Sequence, residues 1–100
     1  MDKVLNLISL ATKAGKVKTG EFLTTKALQE GYGCLVIIAT DTSEKSTERL
    51  EGISENYGCK SIIYGTKEEL GHFTGKESKS VICITDEGLA DAILKKFDNK

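Results

Sequence analysis

Apolar positions along the chain alternate between two spacings, one of 3.6 residues and one of short unbroken runs, as in layered α/β proteins. Val4, Leu7, Ile8 and Ala11 repeat at helical spacing, widened by Leu5 and Ala14, and predict a helix over 2–14. Gly15 follows as a left-handed C-terminal cap. A short extended piece, 16–19, leads to a second helix from Gly20 to Glu30, with Leu23, Ala27 and Leu28 inward and Gly31 as its stop. Residues 34–39 form a continuous apolar run, the pattern of a strand covered on both faces.

A third helix over 43–57 is mostly polar, with Leu50, Ile53 and Tyr57 as a thin apolar stripe. A strand at 60–64 follows. Thr66 with Glu69 three residues on has the spacing of a capping box, and opens a short helix ending near Thr74-Gly75. Residues 81–85 form the last strand. Asp86 caps a final helix with Leu89, Ile93 and Phe97 inward and Lys95-Lys96 near its negative end. Strands joined through helices predict helices on both faces of one sheet. The expected fold is a three-layer α/β/α sandwich with a mixed, mostly parallel four-stranded sheet, and residues 1–100 read as one domain.

Composition narrows the function. At 39% hydrophobic and 29% charged the chain is globular. No apolar run approaches the ~18 residues of a membrane span, and Met1-Asp2-Lys3-Val4 lacks the pattern of a signal peptide. Cys34, Cys59 and Cys83 lack C-x-x-C spacing and read as buried, reduced thiols of a cytoplasmic protein. The net charge of −1 gives no general support to nucleic-acid binding. Its distribution does more: residues 1–40 hold five lysines against three carboxylates, whereas 41–75 hold four basic and seven acidic groups.

Enzyme chemistry finds no constellation. Asp41 and Asp86 each end a strand and together would suit Mg²⁺, but each also suits the cap of the helix that follows. Gly31-Tyr32-Gly33 lies between helix and strand, the reverse of a phosphate loop, and reads as a turn. His72 has no partner of its type, and no cofactor, metal or small-molecule substrate is expected. The better candidate is basic. Lys13, Lys16 and Lys18 flank the junction of the first two helices, Thr19-Gly20 opens the second, and Lys26 follows on it. Ammonium groups beside the amide end of a helix suit phosphate oxygens.

Several blocks, in order, carry a resemblance: Gly20 with Lys26-Ala27-Leu28 and Gly31; Leu35-Val36-Ile37-Ile38-Ala39 with Asp41; Thr66-Lys67-Glu68-Glu69-Leu70-Gly71; Gly75; and Val81-Ile82 with Ile84-Thr85-Asp86-Glu87-Gly88. The chain resembles the kink-turn-binding ribosomal protein family, and within it the short bacterial members. The resemblance implies a sandwich without catalytic activity, acting on structured RNA, either kink-turn or ribosomal, and on the ribosome; the expected state is a monomer. It implies that RNA meets Lys18, Thr19, Gly20, Glu21, Phe22, Leu23 and Lys26, then Asp41 and Ser43, then Lys67, Lys76, Glu77, Ser78 and Lys79. Readers of kink-turns commonly carry Asn-Glu where this chain has Phe22-Leu23, and neither side chain here can hydrogen-bond a base edge. Phe22 offers instead a stacking face, worth ~1–3 kcal/mol per base, or a core contact. That departure, with the acidic middle third, favours a second reading: a protein-interaction module that kept the fold and lost specific RNA binding.

Overall fold

The computed structural model describes residues 2–99. Helix α1 (Lys3–Lys13), strand β1 (Val17–Thr19), α2 (Glu21–Gln29), β2 (Leu35–Ile38), α3 (Glu44–Asn56), β3 (Ser61–Ile63), α4 (Lys67–Phe73), β4 (Val81–Ile84) and α5 (Glu87–Asp98) follow in that order. The strands form one sheet in the order β1-β4-β2-β3. No helix among the described residues is long and apolar enough to cross a membrane.

The sheet is mixed, but the expectation of mostly parallel pairing needs correction. β2 and β3 pair in parallel, Ile37 opposite Ile62. β4 runs antiparallel to β2, Ile37 opposite Ile82, and β1 antiparallel to β4, Lys18 opposite Cys83. The α3 connection is a crossover and keeps its strands parallel. The chain after α4 instead enters β4 from the end where β2 and β3 finish, so β4 must run the other way.

Both central strands are fully buried, as their unbroken apolar runs predict. Alternate residues serve different layers. Leu35, Ile37, Ile82 and Ile84 join Val4, Ile8, Leu70 and Ile93 from α1, α4 and α5. Val36, Ile38, Val81 and Cys83 join Ala27, Leu28 and Leu50 from α2 and α3. These two cores give the three layers, and each buried Val, Leu or Ile contributes about 1.5–3 kcal/mol.

Two sequence expectations about the α2/α3 layer are revised. Leu23 is 40% exposed, and Thr24, 2% exposed, takes its inward place. The helix begins at Glu21, so its phase turns 24, 27 and 28 to the sheet, an i, i+3, i+4 set. On α3, Leu50 and Ser54 are buried while Tyr57 is exposed. Of the thiols, Cys83 is buried but Cys34 and Cys59 are only partly so. Burial pushes the Cys83 thiol up to about 12, which keeps it protonated and inert.

The strand directions bring the starts of α1, α2, α3 and α4 to one end of the sheet. Asp2 caps α1 through the Leu5 amide (2.9 Å) and accepts the Tyr64 hydroxyl (2.6 Å) just beyond β3. Burial favours the neutral acid at Asp2, but the Tyr64 hydroxyl and the Leu5 amide outweigh it and hold the carboxyl below its usual value. The same bond pushes Tyr64 up to about 12.

Candidate nucleic-acid interface

Among the described residues, four of the five helices open on a side-chain cap. Asp2 serves α1, Ser43 serves α3 through the Ser46 amide, Thr66 serves α4 and Asp86 serves α5. Helix α2 opens on Gly20, at φ +88°, with no side-chain cap. Its first-turn amides therefore keep the unmet donor capacity of a helix start. Gly20 suits this place because that φ strains any residue with a Cβ. Lys79 Nζ lies 3.9 Å from where such a Cβ would stand. A helix start and an ammonium thus share one spot, an arrangement suited to phosphate oxygens.

Main-chain bonds hold the surrounding loops to each other. The Gly20 amide donates to the Val81 carbonyl (2.9 Å) and the Ala39 amide to the Ser80 carbonyl (2.8 Å). The Lys79 amide donates to the Lys67 carbonyl (3.0 Å), and the Lys76 amide to the Gly71 carbonyl (2.8 Å). The Lys67 amide in turn donates to Asp41 Oδ1 (2.8 Å). Asp41 therefore does not cap the helix after it. Ser43 does that, and Asp41 links the loop after β2 to the start of α4. The Thr66–Glu69 capping box stands as its spacing predicts, with bonds of 2.9 and 3.0 Å. Asp86 lies at the far end of antiparallel β4, so the two aspartates cannot share a cation.

The expected site residues divide accordingly. Thr19, Gly20, Glu21, Asp41, Ser43, Lys67 and Lys79 gather at this end, while Lys76 and Glu77 lie against Gly71, further along α4. Lys18 sits opposite Cys83, a side chain of the α2-facing core, so it flanks α2. Phe22 is 78% exposed, and Lys26 is exposed one turn further along. Lys13 and Lys16 are not brought there. The Lys16 carbonyl accepts the Thr85 amide at 2.8 Å, at the opposite end of β4 from Val81. Four residue steps separate Lys16 from Gly20, about 13 Å of strand.

Two contributors escaped the sequence reading. Arg49 of α3 forms an ion pair with Glu21, which offsets the carboxylate at the mouth of α2. Gly71 allows the 76–79 segment to lie on α4: an added Cβ would stand 2.2 Å from the Glu77 carbonyl oxygen. No local signal announces Arg49. Gly71 stood in the block of matching residues, but its reason is the crossing segment, which only the folded chain shows.

Comparison with known proteins matches residues 2–94 to the model of the ribosomal protein L7Ae/L30e/S12e/Gadd45 family. The chain belongs to the L7Ae/L30e/S12e/Gadd45 family. Within it, the chain is 34% identical over 88 residues to "RNA-binding protein YlxQ" of Enterococcus faecium, covering 88% of this chain and 84% of that one. It is 32% identical over 93 residues to "Large ribosomal subunit protein eL8" of Haloquadratum walsbyi, covering 91% and 78%. A solved structure of a protein of unknown function from Bacillus halodurans superposes with a TM-score of 0.92 at 30% identity, covering 98% of this chain and 99% of that one. The family match spans the whole of the interface described above, from Lys18 to Lys79.

Proposed function

We propose that this protein binds structured RNA without catalysing a reaction, as a monomer associated with the ribosome in the cytoplasm. The α2–α4 end of the sandwich is the face that meets the sugar-phosphate backbone. The observation that carries this reading is the uncapped start of α2 with Lys79 beside it. Relatives named as an RNA-binding protein and as a large-subunit ribosomal protein support it. Family names of this kind also speak against an enzyme.

In this reading Gly20, Lys79, Lys18, Lys26 and Lys67 hold phosphates, and Lys76, Glu77 and Ser78 follow the backbone beside them. Asp41 and Ser43 keep the loops in place. Kink-turn RNA is the finer reading of the ligand, because a kinked backbone presents phosphates at a single point. The exposed Phe22 and Leu23 would serve a protein-interaction module, but the names of the relatives favour RNA.

Fluorescence anisotropy with a labelled kink-turn and a straight duplex of equal length tests the proposal. The expected result is tighter binding of the kink-turn, with log affinity falling linearly with log salt by about 0.9 per phosphate neutralised. Binding that ignores salt, or no binding of either RNA, would refute it.

A further inference from the structure

Strand β3 is an edge of the sheet, and among the described residues no further strand pairs beyond it. Its register with β2 decides which peptide groups are used. The Val36 amide donates to the Lys60 carbonyl (3.0 Å) and the Tyr64 amide to the Ile38 carbonyl (2.9 Å), with Ile37 opposite Ile62 between them. Residues 60, 62 and 64 thus turn their peptide groups to β2, and the alternate residues turn theirs away. The amides and carbonyls of Ser61 and Ile63 face outward, two donors and two acceptors along an open edge. The Ile63 side chain stands exposed beside them.

Helix α3 runs beside this edge. Its Glu44, Glu48, Glu51 and Glu55 are all exposed and are spaced i, i+4, i+7, i+11, which sets them in one stripe. Glu51 and Glu55 join Gly58, Cys59, Lys60 and Ser61 around a shallow groove of about 590 Å³ at the foot of β3, so the stripe lies along the open edge. Arg49 is on the other flank of α3, paired with Glu21 of α2. Among the described residues none of the four carboxylates is in an ion pair. We propose that this edge receives an extended, lysine- or arginine-rich segment of a partner protein, which adds as a fifth strand beside β3. The main chain of the segment pairs with Ser61 and Ile63, as in strand addition at a sheet edge. Its side chains alternate, so every second one falls on the α3 face, which Cys59 and Ile63 share. Basic groups there meet the glutamate stripe, and one of them enters the groove between Glu51 and Glu55. Charge selects this occupant. RNA would set phosphates against four carboxylates, and a second copy joined edge to edge would set one stripe against another. The foot of β3 is at the far end of the sheet from the α2 opening, so the inference does not depend on RNA binding.

Fluorescence polarisation with a short labelled peptide of alternating lysine and valine tests the assignment. The wild-type protein is expected to bind it, less tightly as salt rises. Changing Glu51→Lys and Glu55→Lys together, at exposed helix positions, is expected to cost roughly tenfold in affinity. The same peptide N-methylated throughout keeps its charge but has no amide to donate, and is expected not to bind. Ile63→Pro removes one outward amide and no bond to β2, a change that edge strands tolerate, and should also weaken binding. Equal binding of the N-methylated peptide overturns strand addition and leaves charge attraction alone. Equal binding by the double variant overturns the part given to the stripe. A wild-type protein that does not bind the peptide overturns the proposal, and light scattering on that protein then shows whether a second copy takes the edge instead.

Discussion

Both ends of the sandwich are built from turns between helices and strands, but different bonds close them. At the far end the helix-to-strand turns close locally, Lys16 bonding back to Ala11, Tyr32 to Ala27 and Cys59 to Ser54, each across five residues, and the long-range bonds there, Thr85 to Lys16 and Cys34 to Ile84, only extend strand pairs. At the α2 end the bonds run between segments distant in sequence. Gly20 reaches Val81, Thr40 reaches Gly65, Lys79 reaches Lys67 and Lys67 reaches Asp41. Local closure ends a helix and does little more. Closure between segments fixes the relative positions of four loops, which a surface meeting an extended ligand requires. Lysines occur at both ends, so lysine content alone does not distinguish them.

The contrast can be broken most severely at Gly71. Gly71→Ala drives a methyl group into the Glu77 carbonyl and lifts the 76–79 segment off α4. The expected cost is about 1–3 kcal/mol of stability, read as a lower midpoint in urea unfolding, with RNA affinity falling more than for any single lysine. A change of similar size at Gly52, where a Cβ meets nothing within 4 Å, should leave RNA affinity alone.

Next in size is charge reversal. Lys79→Glu is expected to weaken RNA binding roughly tenfold or more, from loss of a charge-assisted bond worth about 1.5–3 kcal/mol, and to lower the salt slope by about one. Lys16→Glu, at the other end, should change affinity by less than about twofold, because exposed charges beyond a Debye length of roughly 10 Å are largely screened. Equal losses in the two variants would erase the distinction between the ends.

The smallest effect sharpens it. Removing a negative charge near bound RNA should strengthen binding if charge alone matters. Asp41→Ala also removes the bond to the Lys67 amide, worth about 1 kcal/mol. We expect RNA affinity to fall a few-fold despite the lost charge. The sign of the change in a binding titration separates a linking role for Asp41 from a purely electrostatic one.

Legibility in the sequence followed distance along the chain. The Thr66–Glu69 box, the Asp86 cap and the two central strands depend on neighbours within a few residues and were readable. The direction of β4 was not, because it depends on where α4 returns the chain. Nor was the partner of Asp41, which lies 26 residues away. Lys13 and Lys16 are near Gly20 in sequence, yet the three residues of β1 carry the chain from their end of the sheet to the other. Lys79, far off in sequence, is the ammonium beside the helix start. On α2 the apolar pattern points to Leu23, yet Thr24, one residue on, faces the sheet.

The ties around the α2 opening are almost all peptide to peptide, so they hold whatever side chains stand on the outer turn. Positions 22 and 23 are free to exchange polar for aromatic groups while the scaffold beneath stays fixed. A substitution confined to those two positions would change what the face meets without loosening the loops that hold it.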